Sequence, residues 1–395
     1  MKVAIIHNTY QQPGGEDVVV AEEKRMLENH GHNVVSYQRS NSELELMSKY
    51  QLLLQAKDVV YSQDSKREIQ NLFRKEKPDV AHFHNTFVMI SPSAYEACKE
   101  EGVPVVQTLH NFRLLCPGGF FHRDGGVCEE CLGGNLWNGI RHGCYRNSQS
   151  MTSIVALMLK FHQFRGTWSK SVDGYIALSE FARSKFVEGG LPAEKIHVKP
   201  NFLDVDPCAK TTPGEFALFV GRLVPEKGVD VLLSAWKQLK GGPPLLIIGD
   251  GPLKNSLEAQ IKSEDILNIQ ILPWMPRKRV LDAIKKAAVL IVPSTWYEGF
   301  PMTVVEAFAC GTPVICSRLG SLQEIVVDGH NGLHFAAGDP TELANKVRFL
   351  FANCEKTVEM GLAARRQFDE LYTEEKNYVQ LMDIYARTIA ASSRN

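Results

Sequence analysis

The sequence predicts an α/β protein built from two successive parallel sheets, and two observations carry that reading. Short apolar runs rich in β-branched and aromatic residues alternate with helical patterns in the first half, and the same alternation begins again in the second half. The chain has 395 residues, more than one hydrophobic core usually serves and a natural length for two domains.

The strand-like runs of the first half are residues 3–6, 34–37, 80–83, 103–108 and 175–177. Helical patterns such as residues 17–29 and 65–76 lie between them, which argues for helices on both faces of a parallel sheet. The second series runs through residues 216–220, 245–248, 269–272, 289–292 and 314–316. Residues 204–215 are polar, hold two prolines and lack periodicity, so the domains are expected to meet there as residues 1–203 and 204–373. From Pro340 on, only helical patterns remain.

Composition excludes several classes. Apolar residues make up 44% and charged residues 23%, the balance of a globular protein and not of a disordered one. The net charge of -1 suggests no nucleic-acid partner. No stretch approaches the roughly 18 apolar residues of a spanning helix, and the opening run is too short for a signal-peptide core. Nine cysteines without a secretion signal point to a reducing, cytoplasmic compartment.

In open α/β sheets ligands bind beyond the carboxyl ends of the strands, so the polar and glycine-rich strand exits are the places to search. Gly14-Gly15 follows the first strand and opens a helix, where close backbone approach and free N–H groups suit a phosphate. A plain tight turn is the competing reading. The run Gly221-Arg222-Leu223-Val224-Pro225-Glu226-Lys227-Gly228 puts two cations at a strand exit, matched to a diphosphate whose charge they would neutralise. Gly249-Asp250-Gly251-Pro252 follows the next strand and is a weak signal alone. Further on come Glu298, Gly299, Phe300, Pro301, Met302 and Thr303, then a helix carrying Glu306. The amides at Met302 and Thr303 are placed to hold a phosphate, Glu306 to reach a ribose hydroxyl pair, and Glu298 to accept from a sugar.

Together these motifs resemble the retaining glycosyltransferases of family 4, the group 1 glycosyl transferases. The match rests on Gly221-Arg222 with Glu226-Lys227-Gly228, on Gly249-Asp250-Gly251-Pro252, and on Glu298 paired with Glu306. It continues in Gly320-Ser321-Leu322-Gln323-Glu324-Ile325-Val326 and Asp328-Gly329-His330-Asn331-Gly332-Leu333. The first half matches more loosely, through Gly14-Gly15 and His110-Asn111.

The resemblance implies the GT-B fold: two Rossmann-like domains with a cleft between them, and a C-terminal helix at residues 374–395 crossing back to the first. Residues 1–203 would be the acceptor domain and 204–373 the nucleotide-sugar domain. It implies that Arg222 and Lys227 bind the donor diphosphate, Glu298 the donor sugar and Glu306 the ribose, with His110 beside the sugar. The implied acceptor is a hydroxyl on a lipid-linked or polysaccharide precursor of a bacterial cell-surface glycan. Since Glu298 becomes a sugar-binding group, the expected route is same-face attack through an oxocarbenium-like state and not a double displacement. Arg222 and Lys227 then take the place of a catalytic metal, and no cofactor is needed beyond the nucleotide-diphosphate sugar. An epimerase of the same fold, a phosphorylase and a non-catalytic sugar-binding partner in an assembly complex are the alternatives. The first would act without an acceptor, the second lacks its cofactor lysine here, and the third predicts a degraded site.

Two features fall outside that pattern. Cys116, Cys128, Cys131 and Cys144 crowd a glycine-rich insert at residues 116–144, where either a structural zinc or a loop packed by Phe120, Phe121 and Trp137 would supply order. Residues 131–172 contain Arg141, Arg146, Lys160, Arg165 and Lys170 and no Asp or Glu. The apolar run 154–161 lies inside this basic stretch and either packs in the core or rests on an anionic membrane surface.

Overall fold

A computed structural model describes the chain except for residues 12–13, 48, 211, 213 and 393–395. Parts of the expected boundary at 204–215 and of the segment 374–395 therefore lie outside the described residues. The chain forms two compact units. The first comprises Met1–Phe121, Glu129–Asn201 and Glu374–Asn395, and the second His122–Cys128 and Phe202–Thr373.

The first unit begins with β1 (Lys2–Thr9), β2 (Asn33–Ser40), β3 (Val80–Phe83) and β4 (Val105–Leu109); the short hairpin next in the chain, β5 (His122–Arg123) and β6 (Gly126–Val127), is grouped with the second unit. β7 (Gly174–Ala177) and β8 (Ile196–Val198) complete the sheet, whose order is β2-β1-β3-β4-β7-β8 with every pair parallel. The second unit holds β9 (Phe216–Val220), β10 (Leu245–Ile248), β11 (Ile269–Leu272), β12 (Ala287–Val292), β13 (Val314–Ser317) and β14 (Gly332–Phe335). Their order is β11-β10-β9-β12-β13-β14, again all parallel. Both sheets are doubly wound, so strand order reverses between β1 and β3 and again between β9 and β12.

The central strands are buried on both faces, which is why they read as unbroken apolar runs. In β9, Leu218 joins one core cluster while Ala217 and Phe219 join the other, as the two-residue side-chain period requires. β12 does the same, with Leu290 and Val292 on one side and Val289 and Ile291 on the other. The edge strands β8 and β14 were not anticipated. Both are short, and β14 (Gly-Leu-His-Phe) falls inside a stretch whose Asp, Gly and Asn residues signal turns.

Three helices follow Pro340: Pro340–Ala352, Cys354–Leu371 and Glu374–Ser392. The last belongs to the first unit, with Leu381, Ile384 and Tyr385 buried. Thr388 of that helix lies so close to β7 that a Cβ on Gly174 would stand 2.7 Å from its Oγ1.

Close backbone contact explains some strand-exit glycines. Gly228 has φ +69, and a Cβ there would lie 1.9 Å from the Pro293 carbonyl oxygen. A Cβ on Gly249 would lie 1.9 Å from the carbonyl oxygen of Gly221. Gly228→Ala is expected to lower stability by about 2 kcal/mol or more, since both space and φ oppose it. Gly14→Ala is expected to leave the urea midpoint near wild type, because a Cβ there meets nothing within 4 Å.

Candidate functional site

The reversal between β9 and β12 brings two of the predicted donor residues, Lys227 and Glu298, together. Lys227 ends the turn Pro225–Lys227 after β9, and Glu298 lies in the loop after β12. Lys227 Nζ donates to Glu298 Oε1 at 2.7 Å and to Oε2 at 3.0 Å. Oε1 also accepts from Ser294 Oγ at 2.5 Å and from Trp296 Nε1 at 3.0 Å. The Trp296 ring centroid is 5.5 Å from the ammonium. The Thr295 N–H donates to the Glu226 carbonyl at 3.0 Å, tying the two loops by their backbones. Glu298 is buried, and an oxygen holding three donors is a fixed orienting group and a poor nucleophile. Arg222 is exposed at the exit of β9 and forms no ion pair among the described residues.

Glu306 sits on the helix Met302–Ala309 and is buried. Arg277, not anticipated from the sequence, donates from Nε to Glu306 Oε1 at 3.1 Å and from Nη1 to Asp204 Oδ1 at 3.1 Å. Burial raises the Glu306 carboxyl above its usual range, with Arg277 opposing and Asp204 adding to the rise. Met302 and Thr303 open the helix and are half-buried. Phe300 instead packs against the core beside Tyr372, ring centroids 5.9 Å apart, and Pro301 is buried. Gly251 approaches the backbone of Leu223, where a Cβ would lie 2.5 Å from the carbonyl oxygen, and so serves packing as Gly249 does.

In the first unit, Gly14 caps the helix Gly15–Asn29 and its N–H donates to Asp17 Oδ2 at 2.8 Å. Among the described residues, no protein contact requires a glycine at Gly14 or Gly15. His7 Nε2 lies 2.8 Å from the other Asp17 oxygen, and Tyr10 donates to Glu16 Oε2 at 2.9 Å. Glu16 Oε1 is buried with no hydrogen-bond partner among the described residues.

His110 follows β4, and its Nε2 lies 2.9 Å from His84 Nδ1 just after β3. Behind them is a buried charge cluster absent from the sequence reading. Glu23 Oε1 is 2.9 Å from His82 Nδ1 and 3.4 Å from His84 Nε2, while Glu23 Oε2 is 3.2 Å from Lys199 Nζ. Burial pushes the Glu23 carboxyl up, but Lys199, His82 and the facing imidazoles together hold it well below its usual range. Burial, then His82, drives His84 down to about 3. Burial, then His84, holds His110 well below the ordinary imidazole range. The paired histidines His82 and His84 at the end of a buried strand were the signal available in the sequence.

Among the described residues, Glu23, His82 and His84 are the only three whose ligand atoms fall within 4.8 Å of one another. Lys199 already supplies the cation facing Glu23, and His82 spends Nδ1 on Tyr385 Oη and Nε2 on Thr108 Oγ1, both at 2.7 Å. The trio is thus a hydrogen-bonded charge network. The zinc set expected from Cys116, Cys128, Cys131 and Cys144 finds no support among the described residues. Of the three aromatics expected to pack the insert, Phe121 is buried, with its ring centroid 5.0 Å from that of Phe112. Phe120 and Trp137 are exposed.

Glu16 generates a pH prediction. Burial raises its carboxyl to about 7, with Asp17 adding to the rise while His7, the Tyr10 hydrogen bond and Arg113 oppose it. A raised carboxyl contributes stability below its unfolded value that is lost as pH rises through about 7. Glu16→Gln should therefore leave Tm nearly unchanged at a pH near 4 and raise it at a pH near 8.5, read by calorimetry.

Residues 13–207 match the family described as Glycosyltransferase Family 4, and residues 207–367 match Glycosyl transferases group 1. An uncharacterized glycosyltransferase of Methanocaldococcus jannaschii is 36% identical over 170 residues, covering 43% of this chain and 47% of that protein. A phosphatidyl-myo-inositol mannosyltransferase of Mycobacterium leprae is 30% identical over 242 residues, 57% of this chain and 62% of that one. The chain thus spans about half to two thirds of the length of the curated relatives it matches. The crystal structure of Anabaena HepE in complex with UDP-glucose superposes with a TM-score of 0.70 at 19% identity, over 98% of this chain and 100% of that one. The chain belongs to the group 1/family 4 glycosyltransferases and has their GT-B fold of two Rossmann-like domains.

Proposed function

We propose that the protein transfers a sugar from a nucleotide-diphosphate sugar to a hydroxyl acceptor, with retention at the anomeric carbon and without a catalytic metal. The observation that carries this reading is the pairing of Lys227 with the buried Glu298 at the sheet reversal, with exposed Arg222 following the same strand β9. Such a fixed cation at a strand exit suits a leaving diphosphate. Glu298 holds Lys227 through two contacts and accepts from Ser294 and Trp296, which favours a positioning role and leaves the diphosphate oxygen to take the acceptor's proton. The UDP-glucose complex of the Anabaena protein supports a nucleotide-sugar donor.

A lipid-linked acceptor is the second part of the proposal. The helix Gln149–Arg165 buries Val155, Met158 and Leu159, so its apolar run serves the core as one sequence reading held. Yet Leu157 is 59% and Phe164 93% exposed, alongside exposed Lys160 and Arg165. Apolar side chains among cations suit an anionic lipid surface. The name of the Mycobacterium leprae relative supports a lipid-borne acceptor of this kind. No described helix is long and apolar enough to cross a membrane.

A thermal-shift panel of nucleotide-diphosphate sugars tests the donor, because a ligand at about 100 times its Kd adds about 2.7 kcal/mol to the folded state. A panel in which no member shifts Tm sinks the reading. With the donor known, Lys227→Ala is expected to lower kcat about a hundredfold, close to 3 kcal/mol, at saturating donor. Near wild-type turnover would remove Lys227 from that role. Co-sedimentation with anionic vesicles at low salt should fall in Leu157→Ser/Phe164→Ser, and equal binding by variant and wild type would refute the lipid surface.

A further inference from the structure

We infer that Glu23 is a positioning residue that acts through His84 to set the tautomer of His110, leaving His110 with a protonated Nε2 and a bare Nδ1. The argument needs only the hydrogen-bonding capacity of the groups. Glu23 Oε1 and His84 Nε2 are both buried and face each other at 3.4 Å, with His82 Nδ1 at 2.9 Å from the same oxygen. An ionised carboxylate only accepts, so a bare His84 Nε2 would set two lone pairs against each other in a dry core. The proton of His84 therefore sits on Nε2, and its Nδ1 carries the lone pair. That lone pair faces His110 Nε2 at 2.9 Å. The same reasoning places the His110 proton on Nε2, pointing inward, and the lone pair on its Nδ1.

Both rings are neutral, since burial drives His84 down to about 3 and holds His110 well below its ordinary range. A neutral imidazole has one proton to place, so the order is transmitted from ring to ring. The rings are held for it, His84 and His110 stacked with centroids 5.2 Å apart and His82 and His84 at 4.2 Å. Glu23 is kept ionised by Lys199, itself 2% exposed, whose Nζ donates to Asn377 Oδ1 at 2.9 Å. Asn377 in turn donates to the Pro200 carbonyl at 2.6 Å. The helix Glu374–Ser392 thus contributes to the state of a histidine two rings away.

The tautomers follow from the buried geometry alone, whereas their consequence for transfer rests on the proposed place of His110 beside the donor sugar. Glu23→Gln separates the two. Lys199 donates, so it should hold the glutamine carbonyl and turn the amide nitrogen toward His82 and His84. The facing group becomes a donor, which requires a bare His84 Nε2 and, by the same relay, a bare His110 Nε2.

The test is long-range 1H–15N correlation of the histidine rings in the full-length protein, assigned with His84→Asn and His110→Asn. Wild type should show Nε2–H tautomers for both residues, and Glu23→Gln should shift both toward Nδ1–H. A wild-type His84 or His110 protonated on Nδ1 overturns the inference, and this holds even if the variant fails to fold. A folded Glu23→Gln with unchanged tautomers overturns it as well. Under the proposed function the same variant lowers kcat at least about tenfold with donor KM within about twofold. Shifted tautomers with unchanged kcat would keep the relay and remove His110 from the reaction.

Discussion

A carboxylate stripped of water costs several kcal/mol unless charge and hydrogen bonds replace its hydration, and Glu23 is such a group at 1% exposure. Lys199 neutralises it, and Asn377 from the last helix holds Lys199. Tyr385 of the same helix bonds His82, whose other nitrogen meets Thr108 on β4. One buried charge thereby links the first helix, two central strands and the C-terminal helix of the first unit. Removing one partner leaves the rest unpaired in a dry core, so the cluster specifies an arrangement more than it adds stability.

The second unit uses backbone contact where the first uses charge. Gly249 fits under the Gly221 carbonyl, Gly251 under Leu223 and Gly228 under Pro293. These contacts bring the exits of β9, β10 and β12 close enough for Lys227 to reach Glu298. These strand-exit glycines thus fix the loops that carry the charged groups. Gly14 and Gly15 are different, since among the described residues no protein atom crowds them.

Most central strands were legible because a strand buried on both faces must be apolar throughout. The runs at 80–83, 216–220 and 245–248 appear with those bounds, as does the edge strand at 269–272. β8 and β14 were missed because an edge strand needs few apolar residues, and β14 follows a run of turn formers. The aromatics of the cysteine insert were read as packing residues, yet Phe120 and Trp137 face outward while Phe121 fills the interior. Hydrophobicity alone does not say which neighbour turns inward.

The sequence by itself determined the α/β class, the two sheets and the charged strand exits, because periodicity and local motifs are properties of short stretches. It pointed to Lys227 and Glu298 separately, 71 residues apart, and their pairing at 2.7 Å came from the strand order. Arg277 beside Glu306, and Glu23 with His82, His84 and Lys199, were decided by tertiary structure alone. Nothing local marks a charged residue on an amphipathic helix as buried. Only the packing of distant elements removes its water and obliges it to find partners.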